Sequence, residues 1–162
     1  MKNEVPPWLV LAWGNPSRGD DALGPLLVEQ LAGRAQAQLP LGRLECLTDF
    51  QLQVEHALDL VGRERVLFVD ASLGLQAPFT VGRIHPANVA GWTTHALAPE
   101  AVLQVYRELQ GQEPPPCTLL AIRAERFELG EAPSEQALAD LAAALEWAMG
   151  WLASTPVEEV PA

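Results

Sequence analysis

Short apolar runs that alternate with amphipathic stretches are the feature that most constrains the fold of this 162-residue chain. The run WLVLAWG at 8–14 is continuously apolar and is stopped by Asn-Pro, which is typical of a strand buried on both faces of a sheet. The run RVLFVDAS at 65–72 is also apolar and contains an acid near its end. Strands of this kind need helices on both sides to cover them, so the pattern predicts an α/β protein.

The other segments complete an alternation of strands and helices. Additional strands are predicted at 43–49, at 118–130 and, with imperfect alternation typical of a sheet edge, at 79–87. Three- and four-residue spacing of apolar residues predicts helices at 23–36, 52–62, 99–111 and 134–154. We therefore expect a three-layer α/β/α sandwich with a mostly parallel, twisted sheet of about five strands and helices on both faces. We expect one domain over 1–155 and a flexible tail at 156–162.

The charge balance disfavours some classes of partner. The net charge is −11 and the pI is about 4.6, so the backbone of a nucleic acid and an anionic membrane surface would both be repelled. No apolar run approaches the length of a membrane span, and the start MKNEVPP lacks the apolar core of a signal peptide. We expect a monomer in the cytoplasm. The two cysteines, Cys46 and Cys117, are expected to be free thiols.

Acids follow three of the predicted strands. Asp20 and Asp21 lie in the turn after the first strand, Asp49 ends the second, and Asp70 lies near the end of the third. Because ligands collect at the carboxyl ends of parallel strands, we expect these acids to meet in one crevice. Carboxylates that share a crevice repel one another unless a cation lies among them, so the pattern favours a metal ion.

A histidine among these acids would favour nickel, zinc or a similar transition metal. His95 is the best-placed candidate, because it lies in the aperiodic stretch NVAGWTTHAL at 88–97, which is predicted to be a loop. His56 falls in a helical pattern and His85 in a strand, and ordinary packing or surface roles are the simpler interpretation for both.

Several other chemistries lack their motifs. The turn GNPSRG has neither the Gly-Lys-Ser/Thr of a phosphate-binding loop nor a complete dinucleotide fingerprint. The Gly-x-Ser-x-Gly motif of serine hydrolases and the His-Glu-x-x-His motif of zinc proteases are also absent. Activation of water by Asp20 and Asp21 together, as in aspartic proteases, stays open. Adjacent residues in a turn normally point different ways, so we favour one acid as ligand and the other as a turn or capping residue.

Four motifs in order carry a resemblance to a known family. They are LVLAWGNPSRGDDALGPLLVEQL, TDFQLQVEHALDL, VLFVDAS and TTHAL, and they extend over nearly the whole chain. In this set of a Gly-Asn turn, a paired acid, a strand-end Asp and a loop His, the sequence resembles the hydrogenase maturation endopeptidases, which act on the large subunit of NiFe hydrogenases. The stretches TDFQLQVEHALDL and AIRAERFELGE are most similar to the members that serve bidirectional, NAD-linked hydrogenases.

The resemblance implies a peptidase that uses nickel for recognition. After nickel insertion, such an enzyme removes a short C-terminal extension from the hydrogenase large-subunit precursor, and the precursor supplies the nickel. Asp21, Asp70 and His95 match the residues that contact the metal, and Asp49 matches another functionally important acid, so these four are the candidate catalytic residues. The metal would polarise the scissile carbonyl or lower the pKa of a bound water, with Asp20 or Asp49 to orient that water or act as base.

Two residues depart from the family pattern. Ala12 stands where the first glycine of the turn is usual, and Ala22 stands where a glycine often follows the acid pair. Because alanine does not adopt a positive φ cheaply, we expect ordinary backbone conformations at both positions.

Two alternatives have different activities. A non-catalytic nickel-binding or carrier protein of hydrogenase assembly would use the same carboxylate and histidine pocket, but would bind metal by itself and cleave nothing. A small α/β hydrolase or nucleotide-binding protein would hold magnesium on Asp21 and Asp70. The latter fits less well, because the first turn lacks phosphate-binding character and an oxygen-seeking ion has no need of His95.

Overall fold

A five-stranded sheet forms the middle layer of the protein, whose computed structural model describes residues 5–88 and 97–154. The strand order is β2-β1-β3-β5-β4. All neighbouring strands are parallel except the edge strand β4, which is antiparallel to β5. This confirms the predicted mostly parallel sheet. The strands are β1 Trp8–Trp13, β2 Leu44–Asp49, β3 Arg65–Leu73, β4 Phe79–Ile84 and β5 Cys117–Ala124.

Helices cover both faces of the sheet. The α-helices are α1 Leu23–Ala35, α2 Pro99–Gln110 and α3 Glu135–Ala153, and two 3-10 helices span Gly19–Ala22 and Val54–Leu60. Helices α1 and α3 pack together on one face, and α2 packs with the second 3-10 helix on the other. Within the described residues, none of the helices is long and apolar enough to cross a membrane.

Alternate residues of β1, an interior strand of the sheet, contribute to the two hydrophobic cores. Val10 and Ala12 belong to the core under α1 and α3, whereas Leu9 and Leu11 belong to the core under α2. All four are fully buried, because successive side chains of a strand point to opposite faces and both faces are covered. The unbroken apolar run at the start of the sequence is thereby explained.

Two predicted elements differ from those observed. The segment predicted as a helix at 52–62 forms only the seven-residue 3-10 helix Val54–Leu60, which ends where Val61 turns to an extended conformation. The strand predicted at 118–130 ends at Ala124, because Asp20 takes the backbone amides of the next two residues, as described below. The tail predicted at 156–162 and most of the loop predicted at 88–97 lie outside the described residues.

The positions of the two alanines and the two cysteines agree with expectation. Ala12 lies within β1, Ala22 has φ −75° and ψ −10°, and no described residue other than glycine has a positive φ. Cys117 is buried, Cys46 is half-buried, and both are free thiols.

Candidate active site

A cleft of about 490 Å³ lies at the carboxyl ends of the central strands. The strand order places β1 between β2 and β3, and the connections from β1 to β2 and from β2 to β3 run over opposite faces of the sheet. The two connections leave the carboxyl ends of β1 and β2 towards opposite faces of the sheet. A crevice opens between their first residues, as in other open parallel sheets. Among the candidate residues, Asp21 and Asp70 line this cleft.

The paired acids have separate surroundings, and Asp20 faces the protein interior. It is fully buried, and its Oδ1 accepts a hydrogen bond from the Ser134 amide at 2.7 Å. Its Oδ2 accepts from the Glu125 amide at 2.7 Å, from the Ser134 hydroxyl at 3.0 Å and from the Arg126 amide at 3.4 Å. Burial alone would raise the pKa of Asp20, but these hydrogen bonds together hold that pKa below its usual value.

The contacts of Asp20 fix the loop that connects β5 to α3. The Ser134 hydroxyl that donates to Asp20 also accepts from the Ala137 amide and so caps α3. Gly19 has φ +57°, and a Cβ there would lie 3.0 Å from the Arg126 carbonyl oxygen, so a side chain would disturb this close approach. We interpret Asp20 as a structural residue, because it is fully buried and does not line the cleft, which argues against its action as a general base.

Asp21 points into the cleft from the same turn. Its Oδ2 accepts a hydrogen bond of 2.8 Å from the Asn15 amide, which orients the carboxylate. Gly14, with φ +145°, allows this arrangement, since a Cβ at that position would lie 2.0 Å from the Asp21 carbonyl oxygen. The turn is thus built around glycine at the point where the two ends of the loop meet.

Asp70 lies opposite Asp21, near the carboxyl end of β3. Burial raises the pKa of Asp70 to about 7, opposed by a hydrogen bond from the Ala71 amide, and the charge of Asp21 raises it further. The Trp13 side chain donates a second hydrogen bond that lowers this pKa. A carboxylate that is partly desolvated and faces another carboxylate favours a proton or a cation in the cleft.

Asp49 lies at the end of β2, next to the cleft. Its Oδ1 accepts from the Phe50 amide at 2.7 Å, and its Oδ2 lies 3.3 Å from Nε2 of the buried His56. The cleft lining includes Phe50, whereas Asp49 is not among the described residues that line it.

The contact between Asp49 and His56 was not predicted from the sequence. The Gln53 backbone amide donates to Nδ1 of His56 at 2.8 Å, so a neutral imidazole carries its proton on Nε2, the nitrogen that lies 3.3 Å from Asp49. The signal was the spacing of Gln53 and His56, which fits a capping box at the start of a helix. This box turns the chain back towards the end of β2.

The other two histidines differ in what the structure describes. His85 is exposed just after β4, at the opposite edge of the sheet from the cleft, which agrees with an ordinary surface role. His95 lies outside the described residues, although Leu97, two positions later in the sequence, lines the cleft. Within residues 5–88 and 97–154, no group of three or more His, Cys, Asp and Glu side chains could hold a metal ion. Asp21 and Asp70 are the carboxylates among the described residues that line the cleft.

Several solved hydrogenase maturation proteases have a similar structure. The NiFe hydrogenase maturation protease HycI from Thermococcus kodakarensis KOD1 has a TM-score of 0.69 and 22% identity, over 94% of this chain and 96% of that one. The hydrogenase maturating endopeptidase HybD from E. coli has a TM-score of 0.69 and 26% identity, over 90% of this chain and 91% of that one. This chain has the fold of the hydrogenase maturation proteases. No protein-family model matches the sequence, and no curated protein matches it significantly.

In this maturation protease fold, the cleft combines two kinds of chemistry. The carboxylates of Asp21 and Asp70 can bind a hard or borderline cation. Asp49, beside the cleft, accepts a hydrogen bond from the Phe50 backbone amide and lies 3.3 Å from His56, and since each carboxylate oxygen has two lone pairs it can also orient a water molecule. Binding of a cation and orientation of a water are the two requirements of metal-assisted hydrolysis.

Proposed function

We propose that this protein is an endopeptidase that removes the C-terminal extension of a NiFe hydrogenase large-subunit precursor after nickel has been inserted. The observation that carries the proposal is the pair of carboxylates, Asp21 and Asp70, which face one cleft in a chain with the fold of hydrogenase maturation proteases. The structural neighbours are peptidases of hydrogenase maturation, which supports a peptidase role for this chain.

Nickel enters this proposal as part of the substrate. The raised pKa of Asp70 and the charge of Asp21 beside it make a cation favourable in the cleft, and His95 would complete a mixed carboxylate and imidazole set that suits nickel. A precursor without nickel would leave the two carboxylates to repel each other. The site would thereby distinguish loaded from unloaded precursor.

Asp49 is the residue to which we assign the water. Hydrolysis adds one water across the scissile peptide bond, so the water loses a proton as it attacks the carbonyl and the departing amine gains one. Asp20 is unsuited to this role because its oxygens hold the loop before α3. Asp49, which accepts a hydrogen bond from the backbone amide of Phe50 and lies 3.3 Å from His56, stands beside the cleft and can take the proton. We also propose that the enzyme acts as a monomer in the cytoplasm and serves a bidirectional, NAD-linked hydrogenase.

The direct test is to incubate the purified protein with its own host's large-subunit precursor, nickel-loaded and nickel-free, and to measure the intact mass of the product. We expect a discrete C-terminal fragment to be lost from the loaded precursor only. Asp21→Asn should lose at least about a hundredfold in rate, as expected for a group that stabilises the transition state. Glu29→Gln, an exposed acid on α1, should cleave normally and is the matched control.

Two outcomes would contradict parts of the proposal. If Asp21→Asn combined with His95→Ala cleaved at the full rate, the metal-assisted route would be wrong. If the precursor kept its mass with every enzyme, although a whole-cell extract processed it, the protein would not be the peptidase. Stable nickel binding by the free protein would then favour the carrier alternative.

A further inference from the structure

Three large apolar side chains stand around the mouth of the acidic cleft. Phe50 follows β2, Leu73 ends β3, and Phe127 lies in the loop between β5 and α3, and all three line the cleft. We call these three residues the apolar rim. Phe50 is 67% exposed and Leu73 is 53% exposed, so both present apolar surface to solvent.

Local folding does not require apolar residues at these positions. Phe50 lies between Asp49 and Gln51 in a bend that a polar residue could occupy equally well, and Leu73 is the last residue of its strand. Exposed apolar residues that occur singly need no explanation, but a group around a cleft is typical of an interaction surface. The convergence of three separate chain segments makes the rim such a group.

The rim has a defined shape because Phe127 is held in place. Asp20 binds the amides of Glu125 and Arg126 just before it, and the Arg18 guanidinium donates to the Phe127 carbonyl at 3.3 Å. The loop therefore enters a complex already ordered, so that little conformational entropy is lost on binding. Phe127 also packs against the core beneath α3.

We propose that the apolar rim binds apolar side chains of the substrate polypeptide close to the scissile bond. The argument rests on the proposed function and on complementarity across the cleft. The floor, formed by Asp21 and Asp70, suits a cation, and the rim suits apolar side chains. A polypeptide that carries both a metal ion and apolar residues can bind the two acids through the metal and the apolar rim through its side chains. The rim thus selects the segment of substrate presented beside the metal.

The test compares rim variants with an equally exposed leucine elsewhere. Phe50→Ser and Leu73→Ser should each raise the KM for nickel-loaded precursor about tenfold, with kcat nearly unchanged, because they remove apolar burial and leave the acids intact. The matched control is Leu109→Ser, since Leu109 is 63% exposed in the last turn of α2, shortly before the amino end of β5, and does not line the cleft. Its KM should change by less than twofold.

A second measurement keeps this proposal separate from the proposed function. Calorimetry should give a Kd for loaded precursor that rises about tenfold in Phe50→Ser and Leu73→Ser and stays constant in Leu109→Ser. If the wild-type protein binds but does not cleave, the peptidase proposal fails and the rim is still judged by these values. Unchanged KM and Kd in both rim variants, with cleavage intact, would overturn the rim alone. Absence of any binding by the wild-type protein would overturn both. If the wild-type protein formed a dimer that Phe50→Ser dissociated while the Kd for precursor stayed constant, the rim would be a contact between copies of this chain and the rim proposal would be overturned.

Discussion

The two charged side chains of strand β3, Arg65 at its start and Asp70 near its carboxyl end, have opposite surroundings. Arg65 begins the strand fully buried, with its guanidinium 4.4 Å from the ring centroid of Trp8 and 4.3 Å from that of Trp151. It also donates to the Ser154 hydroxyl at 2.9 Å and to the Ser154 carbonyl at 3.1 Å. Asp70, five residues later, faces the like charge of Asp21 and has its pKa raised to about 7. The protein's own groups therefore stabilise the charge of Arg65, whereas the charge of Asp70 would be stabilised by a bound cation.

Removal of the charge at the start of β3 should have the largest effect on stability. Arg65→Ala would create a cavity between two tryptophans and leave carbonyl groups at the end of α3 without their donor. We expect the free energy of unfolding to fall by about 3 kcal/mol, measured by chemical denaturation. Arg43→Ala is the control, because Arg43 also lies over Trp8, at 5.0 Å, but is half-buried, and it should lose less than about 1 kcal/mol. If Arg65→Ala lost as little stability as is expected for Arg43→Ala, the stacking and hydrogen bonds of Arg65 would contribute little.

Asp20 tests whether a charge at the carboxyl edge can also be structural. Asp20→Asn replaces one acceptor oxygen by an amide that faces backbone donors, so we expect a loss of about 2 kcal/mol at pH 7. The folded pKa of Asp20 is lowered, so the stability it contributes is present above the unfolded pKa of about 3.8 and is lost as the pH falls below it. The difference between wild type and variant should therefore shrink in acid. Asp21→Asn should leave stability nearly unchanged, and an equal loss in both variants would refute the division of roles.

Asp70→Asn should raise the free energy of unfolding, in contrast to Asp20→Asn, which should lower it. Because the folded pKa of Asp70 is about 7 and the unfolded value is about 3.8, the native state binds more protons between these values and wild-type stability declines as the pH rises through them. The variant avoids this decline. We expect a gain on the order of 2 kcal/mol at pH 8, and a smaller one at pH 5, in metal-free buffer. A gain that did not depend on pH would place its cause outside the ionisation of Asp70.

The sequence predicted the elements of the fold more fully than the separate roles of the acids. The apolar runs and helical spacing predicted the five strands, the three α-helices and the edge position of β4, because those patterns follow from burial on one or both faces. The same reasoning expected Asp20, Asp21, Asp49 and Asp70 in one crevice. The structure places Asp21 and Asp70 there, since the pairing of β1 with β3 brings their ends together, whereas Asp20 is buried and Asp49 lies beside the cleft.

The separate roles of Asp20 and Asp21 depended on contacts that the sequence does not encode locally. Asp20 binds residues more than a hundred positions away, including Ser134, and only the folded chain shows which member of the pair meets them. The residues of the turn alone indicated that one acid would be structural but not which one, and only the family resemblance pointed to Asp21 as the ligand. His56 was similarly assigned to packing, because a helical pattern does not show that a 3-10 helix returns to the end of β2.

The smallest effects concern His56, and two substitutions can separate its hydrogen bond to Gln53 from its contact with Asp49. Asn can reproduce the acceptor at Nδ1 that the Gln53 amide uses, whereas Gln can reproduce the donor at Nε2 that faces Asp49. If His56 positions Asp49 for hydrolysis, His56→Gln should keep kcat within about threefold and lose about 1 kcal/mol of stability, the net value of one hydrogen bond. His56→Asn should keep the bond to the Gln53 backbone amide and lower kcat about tenfold, with KM unchanged, because Asp49 would lose the N–H group that faces it at 3.3 Å. Urea denaturation and steady-state cleavage of nickel-loaded precursor would measure the two quantities separately. Equal kcat values in both variants would restrict His56 to capping the 3-10 helix, and Asp49 would then be oriented by the Phe50 amide.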